Sequence, residues 1–366
     1  MGGDHDRTSE NETLRGTASA GPRVRRLTVT THLVLVFLVT APLTAALPVA
    51  VASAAEVVPR PSIPPASTEP IVPIPESRGQ DPNRVELGQQ LFHDVRLSRD
   101  RGRSCATCHP LDRGGMDGRT RALTADGTTH MRNTPTVFNV GLSSYFNWDG
   151  IGDTLEAHAD IVLRNPRLMN MTWPEILSRL GAVEDYAARF RAAYADGLTR
   201  SNVLDALASF ERGLNTPDSR FDRYLRGDRH ALTESERRGY ELFKGYGCVT
   251  CHQGINVGGN MFQKFGVFPE ADVMLLDGDL GRYLVTRIAR DRGVFRVPSL
   301  RNVAVTAPYF HDGRVPSLEL AVDTMARVQL GRTLRREEIR MVVQFLESLT
   351  GRYRGQPVGL ASPGVP

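Results

Sequence analysis

All four cysteines of this 366-residue chain fall in two short motifs, Cys105-Ala106-Thr107-Cys108-His109 and Cys248-Val249-Thr250-Cys251-His252. A single C-x-x-C reads as a redox dithiol or as half of a zinc site. Two copies, each with a histidine directly behind the second cysteine, read instead as attachment sites for c-type haem. In that chemistry both thiols form thioethers with the vinyl groups, and the adjacent imidazole, here His109 or His252, becomes the proximal iron ligand. Such attachment takes place outside the cytoplasm, so the motifs imply export and two covalently bound c-type haems.

The segments that must position these motifs are repeated too. Leu87-Gly88-Gln89-Gln90-Leu91-Phe92 precedes the first site and Arg238-Gly239-Tyr240-Glu241-Leu242-Phe243 the second. Both contain G-x-x-L-F on an amphipathic helical pattern that would pack behind a haem. The second opens with Thr233-Glu234-Ser235-Glu236, a capping box. Downstream, Pro135-Thr136-Val137-Phe138-Asn139-Val140 answers Pro298-Ser299-Leu300-Arg301-Asn302-Val303, and Trp148-Asp149-Gly150 answers His311-Asp312-Gly313. Thr154-Leu155-Glu156 then answers Ser317-Leu318-Glu319, at the same offset of 163 positions. The cysteines are offset by 143, so the second copy carries about 20 extra residues after its haem motif. Duplication of one haem domain is the simplest account.

The repeat bears on the sixth iron ligand, which in c-type haems is commonly methionine. Met325 lies on an apolar helical run from Leu318 to Leu330, and its counterpart in the first copy is Val162, which cannot bind iron. One haem is therefore expected to be closed by Met325 and the other to be open or closed by another group. The alternative for Met325 is a core methionine. Helical spacing recurs at Val203, Leu204, Leu207, Phe210 and Leu214 and at Ile339, Val342, Val343, Leu346 and Leu349, while alternating strand patterns are scarce. The expected architecture is mainly α, with two cytochrome c-like domains whose haems face the interdomain cleft.

Hydrophobic residues make up 40% and charged residues 23%, which excludes a disordered chain and a multi-span membrane protein. Net charge is +4 and no basic run marks the body of the chain, so nucleic acid is not an expected partner. Residues 27–54 form an uncharged apolar stretch behind Arg23, Arg25 and Arg26 and end in Ala52-Ser53-Ala54, a secretory signal pattern. If uncleaved, the stretch is long enough to anchor the protein in a membrane. Residues 1–54 are thus assigned to the signal and the proline-rich residues 55–82 to an extended linker. The two haem domains follow as 83–225 and 226–355, with residues 356–366 as a tail.

The stretches CATCHPLDRGGMDG, RNTPTVFN, FNWDG, GCVTCHQGINVGG, TAPYFHDG and MARVQLG make the chain resemble the bacterial di-haem cytochrome c peroxidase family, which includes MauG-type enzymes. The resemblance covers nearly all of residues 83–351. It implies a peroxidatic haem ligated by His109 and an electron-transfer haem ligated by His252 and Met325. It implies hydrogen peroxide as substrate, a small cytochrome c or copper protein as electron donor, a periplasmic location and a homodimer. By the same resemblance Trp148 lies between the haems, His311 lies near it, and Asn133, Thr306 and Pro308 would bind one calcium ion through oxygen. Read alone, Asn133 is equally a turn residue and Trp148 equally an interface plug.

The chain departs from the family pattern where chemistry occurs. Ala125 stands at the usual position of a reversible distal histidine, with His130 five residues on; His158 stands at a family glutamine and Leu168 at the catalytic glutamate. His158 is a chemically sensible acid–base substitute, its alternative being a solvent-facing helix residue. Two functions follow: a peroxide reductase, or a di-haem electron carrier or MauG-like oxidase of a protein side chain. MauG-type enzymes usually have tyrosine where Met325 stands.

Overall fold

The computed structural model describes residues 69–76, 79–268 and 279–359. The expected signal and most of the proline-rich segment lie outside the described residues, as do residues 360–366. Among the described residues no helix is long and apolar enough to cross a membrane.

In chain order the helices are α1 (Pro82–His93), α2 (Cys105–Cys108), α3 (Leu155–Arg164), α4 (Trp173–Gly181), α5 (Glu184–Ala193), α6 (Arg200–Gly213), α7 (Arg220–Leu225), α8 (Glu234–Gly245), α9 (Tyr283–Thr286), α10 (Leu318–Leu330) and α11 (Arg336–Glu347). The strands are short: β1 (Phe262–Lys264) pairs antiparallel with β2 (Val294–Arg296), and β3 (Arg352–Tyr353) with β4 (Gln356–Pro357). The expected mainly α architecture is what forms. Local sequence explains several starts. Asp81 caps α1 ahead of Pro82, whose fixed φ suits the first helical position. The Thr233–Glu236 capping box closes in both directions at α8, at 2.8 Å and 3.3 Å.

Among the described residues the apolar faces gather into two large cores and a small third cluster of Phe146, Leu155 and Ala208, within one compact unit. In the first, Leu87, Leu91 and Phe92 of α1 meet Val203, Leu207 and Phe210 of α6, flanked by α3, α4 and α5. In the second, Tyr240 and Phe243 of α8 meet Val342, Phe345 and Leu346 of α11, beside Leu318 and Ala321 of α10. The G-x-x-L-F motif has the same purpose in each. A Cβ on Gly88 would lie 1.9 Å from the Ala206 carbonyl oxygen, and a Cβ on Gly239 would lie 1.9 Å from that of Met341. Only glycine lets these helices approach so closely. The motif phenylalanine then packs on the opposing helix, Phe92 on Phe210 at 5.2 Å and Phe243 on Phe345 at 5.1 Å.

The lobes also share a polar joint. Asn139 and Asn302, equivalent in the repeat, both have left-handed backbones, with φ of 59° and 60°. Both donate through Nδ2 to the same hydroxyl, Thr216 Oγ1, at 2.7 Å and 3.0 Å.

Packing redraws three of the expected boundaries. Helix α7, assigned above to the first domain, places Phe221 in the second core, and its Asp222 forms a buried 2.7 Å ion pair with Arg301. The end of the proline-rich linker is not a free spacer. Ile71 bridges Gly254, and the Val72 carbonyl accepts from Arg301 Nη2 at 2.9 Å. The Ile74 N–H donates to Asp222 Oδ1 at 3.2 Å. An extended proline-rich chain repeats about every three residues, so Ile71 and Ile74 share one buried face. At the other end, the start of the expected tail forms β4, and Val358 is buried in the first core with Tyr353 packed beside it.

Candidate functional site: a cavity shared by both lobes

Both C-x-x-C-H motifs open on one cavity of about 730 Å³, and every site residue singled out from the sequence lines it. The first motif is held by α2, where the Ser104 N–H donates to Thr107 Oγ1 at 2.9 Å and the His109 N–H donates to the Cys105 carbonyl at 2.9 Å. His109 Nδ1 lies 3.1 Å from the Gly115 carbonyl. With Nδ1–H as donor, Nε2 is left as the free lone pair, the arrangement a metal-bound imidazole requires. Gly115 has φ of 71° and no room for a side chain: a Cβ would sit 2.9 Å from Thr136 Oγ1.

The second motif repeats this frame. The His252 N–H donates to the Cys248 carbonyl at 3.0 Å, and Gly258, the counterpart of Gly115, bonds back to the Gln253 carbonyl at 3.0 Å. His252 Nδ1 is buried with no hydrogen-bond partner among the described residues, and burial pushes this imidazole down to about 4.

These donors fit covalently attached haem better than a dithiol or zinc. The four cysteines are free of disulfides. Burial pushes the Cys105 thiol up to about 12 and that of Cys248 up to about 11, the reverse of a reactive redox cysteine. Among the described residues no group of three or more His, Cys, Asp or Glu side chains is gathered for a metal ion. What the site offers is two neutral imidazoles, each beside a pair of thiols, in a wide cavity with mainly apolar walls.

The remaining candidates divide between the lobes. Met325 on α10 and Val162 on α3 both face the cavity, and Met325 is not among the residues of the second core. His158, one turn before Val162, lies 6.0 Å from the Phe146 ring. Burial pushes His158 down to about 4, with His109 adding to the effect and Asp149 opposing it. It faces the cavity rather than open solvent. His130 accepts the Arg132 N–H on Nδ1 at 3.2 Å, and its pKa is lowered by burial and by Arg132 and Arg167. Leu168 adds an apolar wall to the same cavity. Ala125 does not line the cavity; its loop is tied back by Arg167 and Arg103.

Trp148 and His311 occupy equivalent positions of the repeat and touch each other, edge to face at 6.4 Å. Trp148 Nε1 donates to the Asn133 carbonyl at 2.9 Å, while His311 stacks on Phe295 at 4.1 Å with its Nε2 buried and without a partner among the described residues. The Asn133 side chain donates to the Arg119 carbonyl at 2.8 Å, leaving Oδ1 without a protein partner among the described residues. Thr306 and Pro308 line the same cavity.

Sequence reasoning missed three features of these walls. Arg132 holds Asp149 at 2.6 Å and Asp279 at 2.8 Å in a buried cluster. Arg296 reaches the cavity from β2. Glu211 projects into it from α6, and burial, with Glu156 adding and Arg212 opposing, pushes its carboxyl up to about 8. The repeat held a signal for Arg296, since the 163-residue offset pairs it with Asn133.

A mainly helical chain with two C-x-x-C-H motifs on one cavity defines the class of di-haem c-type proteins. A family model described as di-haem cytochrome c peroxidase matches residues 82–230. The chain is 43% identical over 287 residues to cytochrome c peroxidase Ccp of Escherichia coli, covering 78% of this chain but 62% of that relative's length. It is 40% identical to cytochrome c551 peroxidase of Nitrosomonas europaea, covering 78% of this chain and 85% of the relative. A solved MauG-like protein associated with microbial copper homeostasis matches with a TM-score of 0.66 at 28% identity, over 79% of this chain and 95% of that one. The chain belongs to the di-haem cytochrome c peroxidase family, and the family implies haem cofactors.

Proposed function

We propose that this protein is an exported, periplasmic di-haem c-type peroxidase. It reduces hydrogen peroxide to two waters, using two protons and two electrons taken from a small cytochrome c or copper protein. The observation that carries the reading is an inequivalence at one position: Met325 faces the cavity from α10 where Val162 faces it from α3. The second lobe thus has a sixth ligand to hand and the first does not, which separates an electron-receiving haem at His252 from a peroxidatic one at His109. Bound at these sites, the two haems would supply the electron storage and the open iron position that peroxide reduction needs.

The protein's share of the chemistry falls to its cavity residues. His158 is neutral near pH 7, because its pKa is pushed well below that range, and a neutral imidazole can take a proton from one peroxide oxygen and return it to the other. Leu168 can do neither, so the acid–base work passes from a carboxylate to an imidazole. His130 is the rival group on the neighbouring loop. Trp148 and His311 offer an aromatic path between the lobes. Asn133 Oδ1, with the carbonyls of Thr306 and Pro308, supplies oxygen donors of the kind calcium takes. The repeated helix crossings and the shared Thr216 joint support descent from one duplicated haem domain with both haems turned to the common cleft. Assembly as a homodimer is part of the proposal. Leu168 favours a second reading, a carrier or a MauG-like oxidase with altered chemistry.

Stopped-flow mixing of the reduced holoprotein with peroxide, backed by steady-state turnover with a reduced small cytochrome, tests these roles together. His158→Ala should slow the peroxide reaction by ~10²–10⁴-fold while His130→Ala leaves it near wild type. Trp148→Phe should slow electron passage between the haems with both haem spectra intact. Loss only in His130→Ala transfers the acid–base role to His130. A wild type that barely reacts with peroxide sinks the peroxidase reading in favour of the second.

A further inference from the structure

Arg296 is a buried guanidinium with most of its donors unused. It is 7% exposed and closes β2 in the second half of the chain, yet it bonds to a turn of the first half. Its N–H donates to the Trp148 carbonyl at 2.8 Å and its Nε to the Asn147 carbonyl at 2.6 Å. Nη1 and Nη2 have no protein partner among the described residues, and Arg296 lines the cavity that His109 also lines, near enough to His158 for its charge to help lower that imidazole's pKa. The neighbouring acid is already engaged. Asp149 is held by Arg132 Nη1 at 2.6 Å, while Arg132 also forks onto Asp279 through Nε at 3.1 Å and Nη2 at 2.8 Å.

The repeat sharpens the point. Asn133, the counterpart of Arg296, makes the equivalent main-chain bond, its N–H donating to the His311 carbonyl at 2.8 Å. The two positions are related by the same exchange across the seam, but the first half places a neutral amide there and the second a planar cation.

A buried guanidinium facing a cavity with both terminal nitrogens free matches a carboxylate, which it binds in a two-pronged fork. Hydrogen peroxide is uncharged near neutral pH and has no need of such a fork. Haem carries its propionate carboxylates on the edge away from the vinyl groups. A thioether at Cys105 would hold the vinyl edge against the first core, where Cys105 itself packs, whereas Arg296 belongs to the wall of Asn147, Trp148 and Asp149. We propose that Arg296 clamps a propionate of the haem attached at Cys105 and Cys108, so that a side chain of the second half of the chain holds the cofactor of the first. The proposal rests on the haem-attachment reading of that motif. Its consequence is a fixed positive charge beside this haem, which favours its reduced state.

The test uses the holoprotein and its Arg296→Gln and Arg296→Lys variants. A pyridine haemochrome count of two haems per chain establishes attachment independently, and a lower count in the wild type would refute that reading instead. In Arg296→Gln the propionate-bending band in resonance Raman should shift, and one haem should become about tenfold harder to reduce, ~59 mV in a one-electron midpoint. Arg296→Lys keeps the charge without the fork. It should shift the band while changing the equilibrium far less, and it decides the matter if the glutamine variant fails to load haem. Unchanged band and midpoint in both variants would overturn the proposal. A slowed peroxide reaction with band and midpoint unchanged would also overturn it, placing Arg296 on the oxidant.

Discussion

In the first lobe α1 crosses α6 at Gly88, and in the second α8 crosses α11 at Gly239, with the same backbone approach and the same phenylalanine pair. The walls that face the cavity are not alike. Val162 stands against Met325, His158 against Ala321, Trp148 against His311, Asn133 against Arg296, and Glu211 of α6 against Leu346 of α11. Even the i,i+4 pair that flanks Val162 and Met325 is kept, Asp160 with Arg164 at 2.9 Å and Asp323 with Arg327 at 3.1 Å. The scaffold is under a packing constraint that both lobes meet in one way, whereas each cavity wall answers only to the cofactor beside it. Specialisation is therefore concentrated in side chains that project from matched backbones.

The comparison breaks most severely if the two crossings are not equivalent. Gly88→Ala and Gly239→Ala should each cost about 3 kcal/mol or more, since the new Cβ meets a backbone carbonyl and the helices must part. Urea unfolding of the holoprotein should give similar losses for the two variants. Tolerance of one alone would show that the lobes are packed by different rules.

A substitution within the cavity sharpens the comparison next. Met325→Val gives the second lobe the wall of the first. Low-temperature EPR of the oxidised wild type should show one low-spin and one high-spin haem, and the variant should lose the low-spin signal. Persistence of that signal would remove Met325 from the iron. Two low-spin signals in the wild type would mean that His130 or another side chain closes the first haem.

The smallest effect concerns Glu211, polar where Leu346 is apolar. Its carboxyl is raised from 4.5 to about 8 in the folded protein. Between those values the unfolded chain releases the proton and the folded chain keeps it, so stability falls as pH rises through this window. Glu211→Gln should flatten that fall and be a few degrees more heat-resistant than wild type at pH 8, with no difference at pH 4. Equal slopes in both proteins would show that the carboxyl ionises freely in the cavity.

Much of this was legible in the sequence because it rests on short-range chemistry. The Leu318–Leu330 run is the observed α10 to the residue, the Thr233 capping box closes as read, and the haem motifs carry their own spacing. The features that escaped depend on which distant residues become neighbours. Ile71 and Ile74 look like linker until Gly254 and Asp222 are placed beneath them. Phe221 has no lobe until α8 and α11 meet, and Val358 returns to the first core across the whole chain. Arg296 and Glu211 are ordinary residues of a strand and a helix in sequence. Only the cavity distinguishes them, and it is built from both halves.

Thr216 gives this architecture a further property. It is one residue on the path between the lobes, with a single hydroxyl, and two equivalent asparagines converge on it. A freshly duplicated pair of domains would carry a private cap for each asparagine. Here one side chain serves both, so neither half owns a complete set of its own turns. Cutting the chain between the lobes would leave one asparagine Nδ2 without its acceptor, whichever side retained the threonine. The joint is in that sense indivisible: the halves differ in the chemistry of their cavity walls, yet neither keeps all of its turn bonds without the other.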